Sequence, residues 1–181
     1  MTEALTSKQL SSEGKEAYQA GDYAAAARAF EAASQSFAAA GDLLMAAEMQ
    51  NNSSVAYLKS GDAETSLHVV ESTPALFASS GDTRRQGMAL GNLGSALEAL
   101  GRTSEAVEAY RQSAELLQQV GEHELRAYVM QSLSAIQLRS GKSLEALATM
   151  QSSFEGIEKP TSKQRFLQRL LNAPMKFLKG R

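Results

Sequence analysis

Residues 81–101 read Gly-Asp-Thr-Arg-Arg-Gln-Gly-Met-Ala-Leu-Gly-Asn-Leu-Gly-Ser-Ala-Leu-Glu-Ala-Leu-Gly, and the two glycines that bracket the stretch decide the fold. They belong to a series, Gly21, Gly41, Gly61, Gly81, Gly101, Gly121 and Gly141, at a constant spacing of 20 residues. Thirteen glycines in 181 residues would put about 0.7 glycine in the ten positions of that phase, so seven mark an internal repeat. Asp22, Asp42, Asp62 and Asp82 follow four of these glycines directly, and Thr103 and Ser143 stand one position later after two others. Glycine adopts the left-handed conformation that ends a helix, and Asp, Ser or Thr then accepts hydrogen bonds from the free N–H groups that open the next. Between the glycines lie Ala, Leu, Glu, Gln and Met, without the alternating β-branched pattern of strands. The spacing therefore predicts antiparallel helices of about 18 residues, each about 27 Å long.

Working outward, alternate segments share a pattern, so the period is two helices, or 40 residues. Gly14, Ser54, Gly94 and Ser134 are small residues seven positions before alternate turns, and Ala26, Ser66, Ala106 and Ala146 are small residues five positions after them. Four further on stand the bulkier Phe30, Val70, Tyr110 and Met150. Small residues on both helices admit close approach of the backbones, and the bulky residue one turn later fills the space beside them. Pro74 interrupts the second helix of the second unit, where it removes a donor and crowds the carbonyl of Val70. Because the glycine register continues at Gly81, a kink is expected there, with Ser72 or Thr73 restarting the helix.

The residues Gly91-Asn92-Leu93-Gly94-Ser95-Ala96-Leu97, with Glu105-Ala106-Val107-Glu108-Ala109-Tyr110 beyond Gly101, resemble a tetratricopeptide (TPR) repeat of the 40-residue variety, as does Gly14 to Tyr23. The resemblance implies an all-α fold: a right-handed α-solenoid of helix-turn-helix repeats with a C-terminal capping helix. Four units are expected over residues 4–156, at about 4–41, 42–81, 82–121 and 122–156, followed by a basic amphipathic helix and tail over 157–181. The second unit departs most, with Ser54 and Ser66 at the small positions and Gln50 where an apolar residue is usual.

Composition narrows the chemistry. With 43% hydrophobic and 21% charged residues the chain reads as globular, and with no cysteine it has no disulfide, thiolate metal site or cysteine nucleophile. His68 and His123 stand on different repeats, without partners at metal-ligand spacing, and read as surface histidines. Gly91-Asn92-Leu93-Gly94 has neither a preceding strand nor a following Gly-Lys-Ser/Thr, so it is no phosphate loop. Neither a signal peptide nor a membrane span is read, and the expected location is cytoplasmic. No catalysis, cofactor or metal is expected.

The resemblance implies that the first helix of each pair lines a concave groove that holds extended or helical peptides. The candidate groove residues are Lys15, Tyr18, Asn51, Asn52, Lys59, Asn92, Ser95, Tyr128, Gln131 and Arg139. The amides both donate and accept, which suits a peptide backbone, while Tyr18, Leu58, Tyr128 and Leu138 offer apolar anchors. The carboxylate clamp of chaperone-binding TPR domains is not matched, since Lys15 stands where that motif has asparagine. A protein or peptide partner is therefore expected.

The net charge of −2 conceals an asymmetry. Through Glu158 there are 11 basic and 20 acidic residues, a charge of −9, and from Lys159 onward seven basic residues with no acid. After Lys159-Pro160, Thr161 and Ser162 offer a new N-cap, and Phe166, Leu167, Leu170 and Leu171 form an apolar stripe. The stripe suits a terminal helix that covers the last repeat, and the residues after Pro174 read as frayed. Other roles open to the basic segment are docking on an anionic membrane, assembly of a complex, or contact with the acidic repeats of its own chain or of a second copy in a homodimer. Nucleic acid is not an expected partner.

Overall fold

The structure, a computed structural model, describes residues 6–162, 164–169 and 171. The chain folds into helices α1 (Ser7–Gln19), α2 (Tyr23–Ala39), α3 (Leu43–Ser60), α4 (Ala63–Val70), α5 (Thr73–Ser79), α6 (Thr83–Ala99), α7 (Thr103–Gln119), α8 (His123–Arg139) and α9 (Ser143–Ser152). Consecutive helices pack in pairs, and α6 also reaches back to α3, α4 and α5, so the result is a solenoid. No strand occurs among the described residues.

The turns follow the glycine register. All seven phased glycines have positive φ, between 73° and 91°, a region that favours glycine. Asp22, Asp42, Asp62 and Asp82 each accept from the backbone N–H three residues on, at 2.9 to 3.1 Å. Thr103 and Ser143 behave differently from expectation. They are the first residues inside α7 and α9, the N-caps are Arg102 and Lys142 without a side-chain cap bond, and Thr103 Oγ1 turns back to the Gly101 carbonyl. A hydroxyl one residue late already has helical backbone and so cannot aim at the orphan N–H groups.

Hydrogen bonds from Thr65, the backbone one first, hold the Asp62 carboxyl below its ordinary value. A group lowered on folding contributes stability above its unfolded pKa and loses that contribution as pH falls through the folded one. The stability gap between wild type and Asp62→Ala should therefore narrow on acidification in chemical-denaturation curves. A gap that stays constant down to the pH of full carboxyl protonation would show that the ionised cap contributes nothing.

Packing within the pairs follows the small and bulky positions. A Cβ added at Gly14 would lie 2.7 Å from the Phe30 ring, and one at Gly94 2.8 Å from the Tyr110 ring. In the second pair Ser54 and Ser66 meet as a buried hydroxyl pair at 2.9 Å, and in the fourth Ser134 Oγ donates to the Ala146 carbonyl at 2.7 Å. The buried apolar residues form three successive clusters, of which the middle one holds only Ala47, Phe77 and Ala89. Pro74 acts as expected: α4 ends at Val70, Ser72 is the N-cap of α5, and Pro74 lies in its first turn, where no amide donor is required. Beside this break Gln50 and Ser53 line a polar cleft of about 350 Å³ with Glu31, Ser34 and His68. Across α2 and α3, Tyr57 donates to Glu31 at 2.7 Å, and burial followed by that bond pushes its phenol up to about 12.

Two expectations need correction. His123 is half-buried: it sits under Gly156, where a Cβ would fall 2.3 Å from its Nδ1. After α9, Thr161 caps the terminal helical residues, with Gln164 N–H donating to Thr161 Oγ1 at 3.2 Å and Thr161 N–H to Gln164 Oε1 at 2.7 Å. Phe166, however, is exposed, while Leu167 and Leu171 are half-buried. With 100° per residue, Phe166 and Gln168 lie on opposite sides of that helix, and Gln168 and Leu171 are the residues placed beside Gln151, Phe154 and Glu155. The expectations placed on Lys163, Leu170 and residues 172–181 lie outside the described residues.

Candidate functional site

The first helices of the pairs, α1, α3, α6 and α8, form one face of the solenoid, and the candidate groove residues stand on them. Lys15, Tyr18 and Asn52 come together with Gln19 and Val55 around a cavity of about 330 Å³ between α1 and α3. Its floor is Phe30 of α2. Phe30 was legible in the sequence as a packing residue and not as a site residue. It reaches the floor because Gly14, directly opposite, has no side chain to keep the ring away. Tyr18 is braced by Tyr23, ring edge to face at 5.2 Å.

The middle of the face is tied together by its own polar groups. Asn92 Nδ2 donates to Asn51 Oδ1 at 3.2 Å, and Asn51 is buried. Ser95 Oγ donates to the Gly91 carbonyl at 3.0 Å and lies 3.0 Å from the Tyr110 hydroxyl. That hydroxyl donates to the Glu98 carboxylate at 2.8 Å, and Glu98 also pairs with Arg139 of the next pair. Burial, the largest cause, raises the Tyr110 phenol far above its ordinary value, so it remains a donor. Glu48 and Arg85 make a similar bridge at 2.7 Å between α3 and α6. Lys59 is exposed in the last turn of α3, Tyr128 is exposed near the start of α8, and Gln131 is half-buried one turn further on. The face thus brings Lys15, Tyr18 and Asn52 into one cavity, turns Asn51, Asn92, Ser95 and Arg139 to bonds between neighbouring helices, and leaves Lys59, Tyr128 and Gln131 apart. Among the described residues no group of three or more His, Asp and Glu side chains is placed to hold a metal ion. No helix there is long and apolar enough to cross a membrane.

Residues 85–159 match the tetratricopeptide repeat family. The paired-helix solenoid continues on the N-terminal side of that stretch with the same helical architecture. Among solved structures it is similar to nearly identical TPR-like repeats from Podosopora anserina, kinesin light chain-like, with a TM-score of 0.72 at 15% identity over 95% of this chain and 89% of that one. A singly substituted form of those repeats gives a TM-score of 0.69 at 16% identity over 93% and 95% of the two chains. At such identities the likeness is one of fold. No curated protein sequence matches the chain. Tetratricopeptide repeats are generally protein–protein interaction modules, and scaffolds of this family are typically non-catalytic.

Proposed function

We propose that the chain is an interaction scaffold that holds a segment of a partner protein in the groove of its first helices, seated at the α1–α3 end. The carrying observation is the cavity of about 330 Å³ lined by Lys15, Tyr18, Gln19, Asn52 and Val55 above Phe30. It combines an apolar floor with an amide pair and a cation, the mix that holds one side chain and fixes the backbone beside it. Between α3, α6 and α8 the Asn51–Asn92, Glu48–Arg85 and Glu98–Arg139 groups already bond to one another, so a ligand would have to displace existing bonds there. A reading in which the basic segment docks the chain on a membrane or a complex has exposed Phe166, Arg165 and Arg169 in its favour. The placement of Gln168 and Leu171 against the end of α9 weighs against it.

Displayed random peptides selected on the immobilised full chain test the groove. Peptides so selected should lose at least about tenfold in affinity for Val55→Arg, which puts a long cation into the cavity, and keep their affinity for Glu124→Arg, outside it. Selected peptides that bind Val55→Arg as tightly as wild type would place the binding surface elsewhere.

A further inference from the structure

One cleft recurs in the solenoid with contrasting linings. Between α7 and α8 it is lined by Arg111, Ala114, Glu115, Met130 and Leu133, and 80 residues earlier Glu31, Ser34, Gln35, Gln50 and Ser53 hold the same positions. An amide and a hydroxyl thus stand where the fourth unit has Met130 and Leu133 and the third has Leu90 and Leu93. Ser53 is 1% exposed and Ser34 6%, so these polar groups lie inside the junction of the first two units and not on its surface. Ser53 Oγ donates to the Gln50 carbonyl at 3.2 Å, whereas the Ser34 hydroxyl and the Gln50 side-chain amide have no partner among the described residues. Burying a hydroxyl without a partner costs free energy. Ser34 lines the cleft, so a group that enters it can supply the missing bond.

The walls carry charge of one sign. On the α2 side, Tyr57 occupies one oxygen of the half-buried Glu31 carboxylate at 2.7 Å and leaves the other to the cleft. On the α4 side, the break that Pro74 causes ends the helix at Val70 and brings Glu71 and Ser72 to the rim. Glu71 pairs with His68 at 3.6 Å, with both side chains more than half exposed. No Lys or Arg lines the cleft, so its two carboxylates face it without a fixed cation. The cleft opens between the second helices α2 and α4 over α3, and no residue lines both it and the cavity above Phe30.

We propose that this cleft binds a guanidinium group. A guanidinium is planar, keeps its charge and presents several N–H donors in a fixed fork, and the cleft offers acceptors around it: the Glu31 carboxylate, the Gln50 amide oxygen, the Ser34 hydroxyl and Glu71 at the rim. An ammonium has fewer donors and a firmer hydration shell, which a cleft with hydroxyls this deep would have to strip. An anion would meet Glu31 and Glu71. The volume of about 350 Å³ admits the group together with the methylenes that carry it. Two sources share this chemistry, an arginine side chain of a partner protein and a free guanidinium compound.

Methylguanidinium chloride titrated at constant ionic strength into the isotope-labelled full chain should give saturable amide shifts at Ser34, Ser53 and Ser72, with a dissociation constant below roughly 20 mM, and leave Tyr18 unmoved. Methylammonium chloride should bind at least about tenfold more weakly. Glu31→Gln keeps an oxygen for the Tyr57 bond and should weaken methylguanidinium at least about tenfold, the least expected from losing a hydrogen bond to a charged group. Ser53→Leu, which gives this floor the leucine of the third and fourth units, should abolish saturation, and Glu64→Gln, an exposed position of α4 outside the cleft, should leave it unchanged. A blocked Gly-Arg-Gly peptide separates the sources: tighter binding than methylguanidinium assigns the group to a protein partner, no tighter binding to a free guanidinium compound, and either supports the site. Shifts that do not saturate, equal binding of methylammonium, or full affinity in Glu31→Gln or Ser53→Leu would overturn it.

Discussion

Tyr110→Ala is expected to lower stability by about 3–5 kcal/mol, the range for removing a large buried aromatic side chain. Tyr110 is 1% exposed, fills the space beside Gly94, and ends in a hydroxyl bonded to Glu98, which in turn holds Arg139 of the following pair. One side chain therefore serves the packing inside the third pair and the junction with the fourth. In a solenoid, stability is close to a sum of unit and neighbour contributions, so the loss should appear as early melting of the C-terminal half. Hydrogen exchange read along the chain against thermal melts distinguishes this from uniform weakening. Tyr110→Phe keeps the ring and should cost only about 1 kcal/mol, the net worth of a typical hydrogen bond. Equal losses in the two variants would mean that the ring contributes little and the hydroxyl network carries the site.

The second large effect is expected at Gly94→Leu. In a helix interior this exchange by itself gains about 0.5–1 kcal/mol of helix propensity. Against that, a bare Cβ already falls 2.8 Å from the Tyr110 ring, and the ring is enclosed and has nowhere to move. Overpacking of this kind costs about 1–3 kcal/mol or more, so the net change should be destabilising. The penalty should shrink in a Tyr110→Ala background, where the added side chain enters the space the ring vacates. Chemical-denaturation curves of the two single variants and the double variant give a coupling of about 0.5–3 kcal/mol if the contact is the cause. Strict additivity would refute the close approach of α6 and α7 at this point.

Both effects come from positions the sequence marks plainly. Gly94 and Tyr110 are the third members of their series, and their contact repeats that of Gly14 with Phe30. Helix boundaries were legible for the same reason: a glycine with positive φ followed by an aspartate cap is a local device, decided by a few neighbouring residues. Even the break at Pro74 follows from the chemistry of one residue. Where the device is imperfect, as with Thr103 and Ser143 one residue late, the helix still starts on register because the glycine has already turned the chain.

The candidate site was legible as a set of positions and not as an arrangement. Period and small-residue spacing place Lys15, Tyr18, Asn52 and Asn92 on first helices, but an amide's partner depends on the neighbouring helix 40 residues away. Asn92 meets Asn51 across that gap, whereas Asn52, next in sequence to Asn51, points into the cavity with Lys15 and Tyr18. Phe30 joined the site through the absence of a side chain at Gly14. His123 left the surface because the chain after α9 turns back at Gly156 and covers it.

What the sequence by itself determined is the repeat: the turns, the paired helices, the small and bulky seams and the division of charge near Glu158, all set by local turn chemistry, by contacts between successive helices at a fixed spacing, or by residue counts. What only the tertiary structure decided is which groups meet between pairs: the Asn51–Asn92 bond, the Glu48–Arg85 and Glu98–Arg139 pairs, the cavity over Phe30 and the polar cleft at Ser34 and Gln50. The physical reason is that a 20-residue period fixes each helix against its own turn, while side-chain contacts between stacked pairs depend on rotation and offset of whole helices, which no local signal encodes.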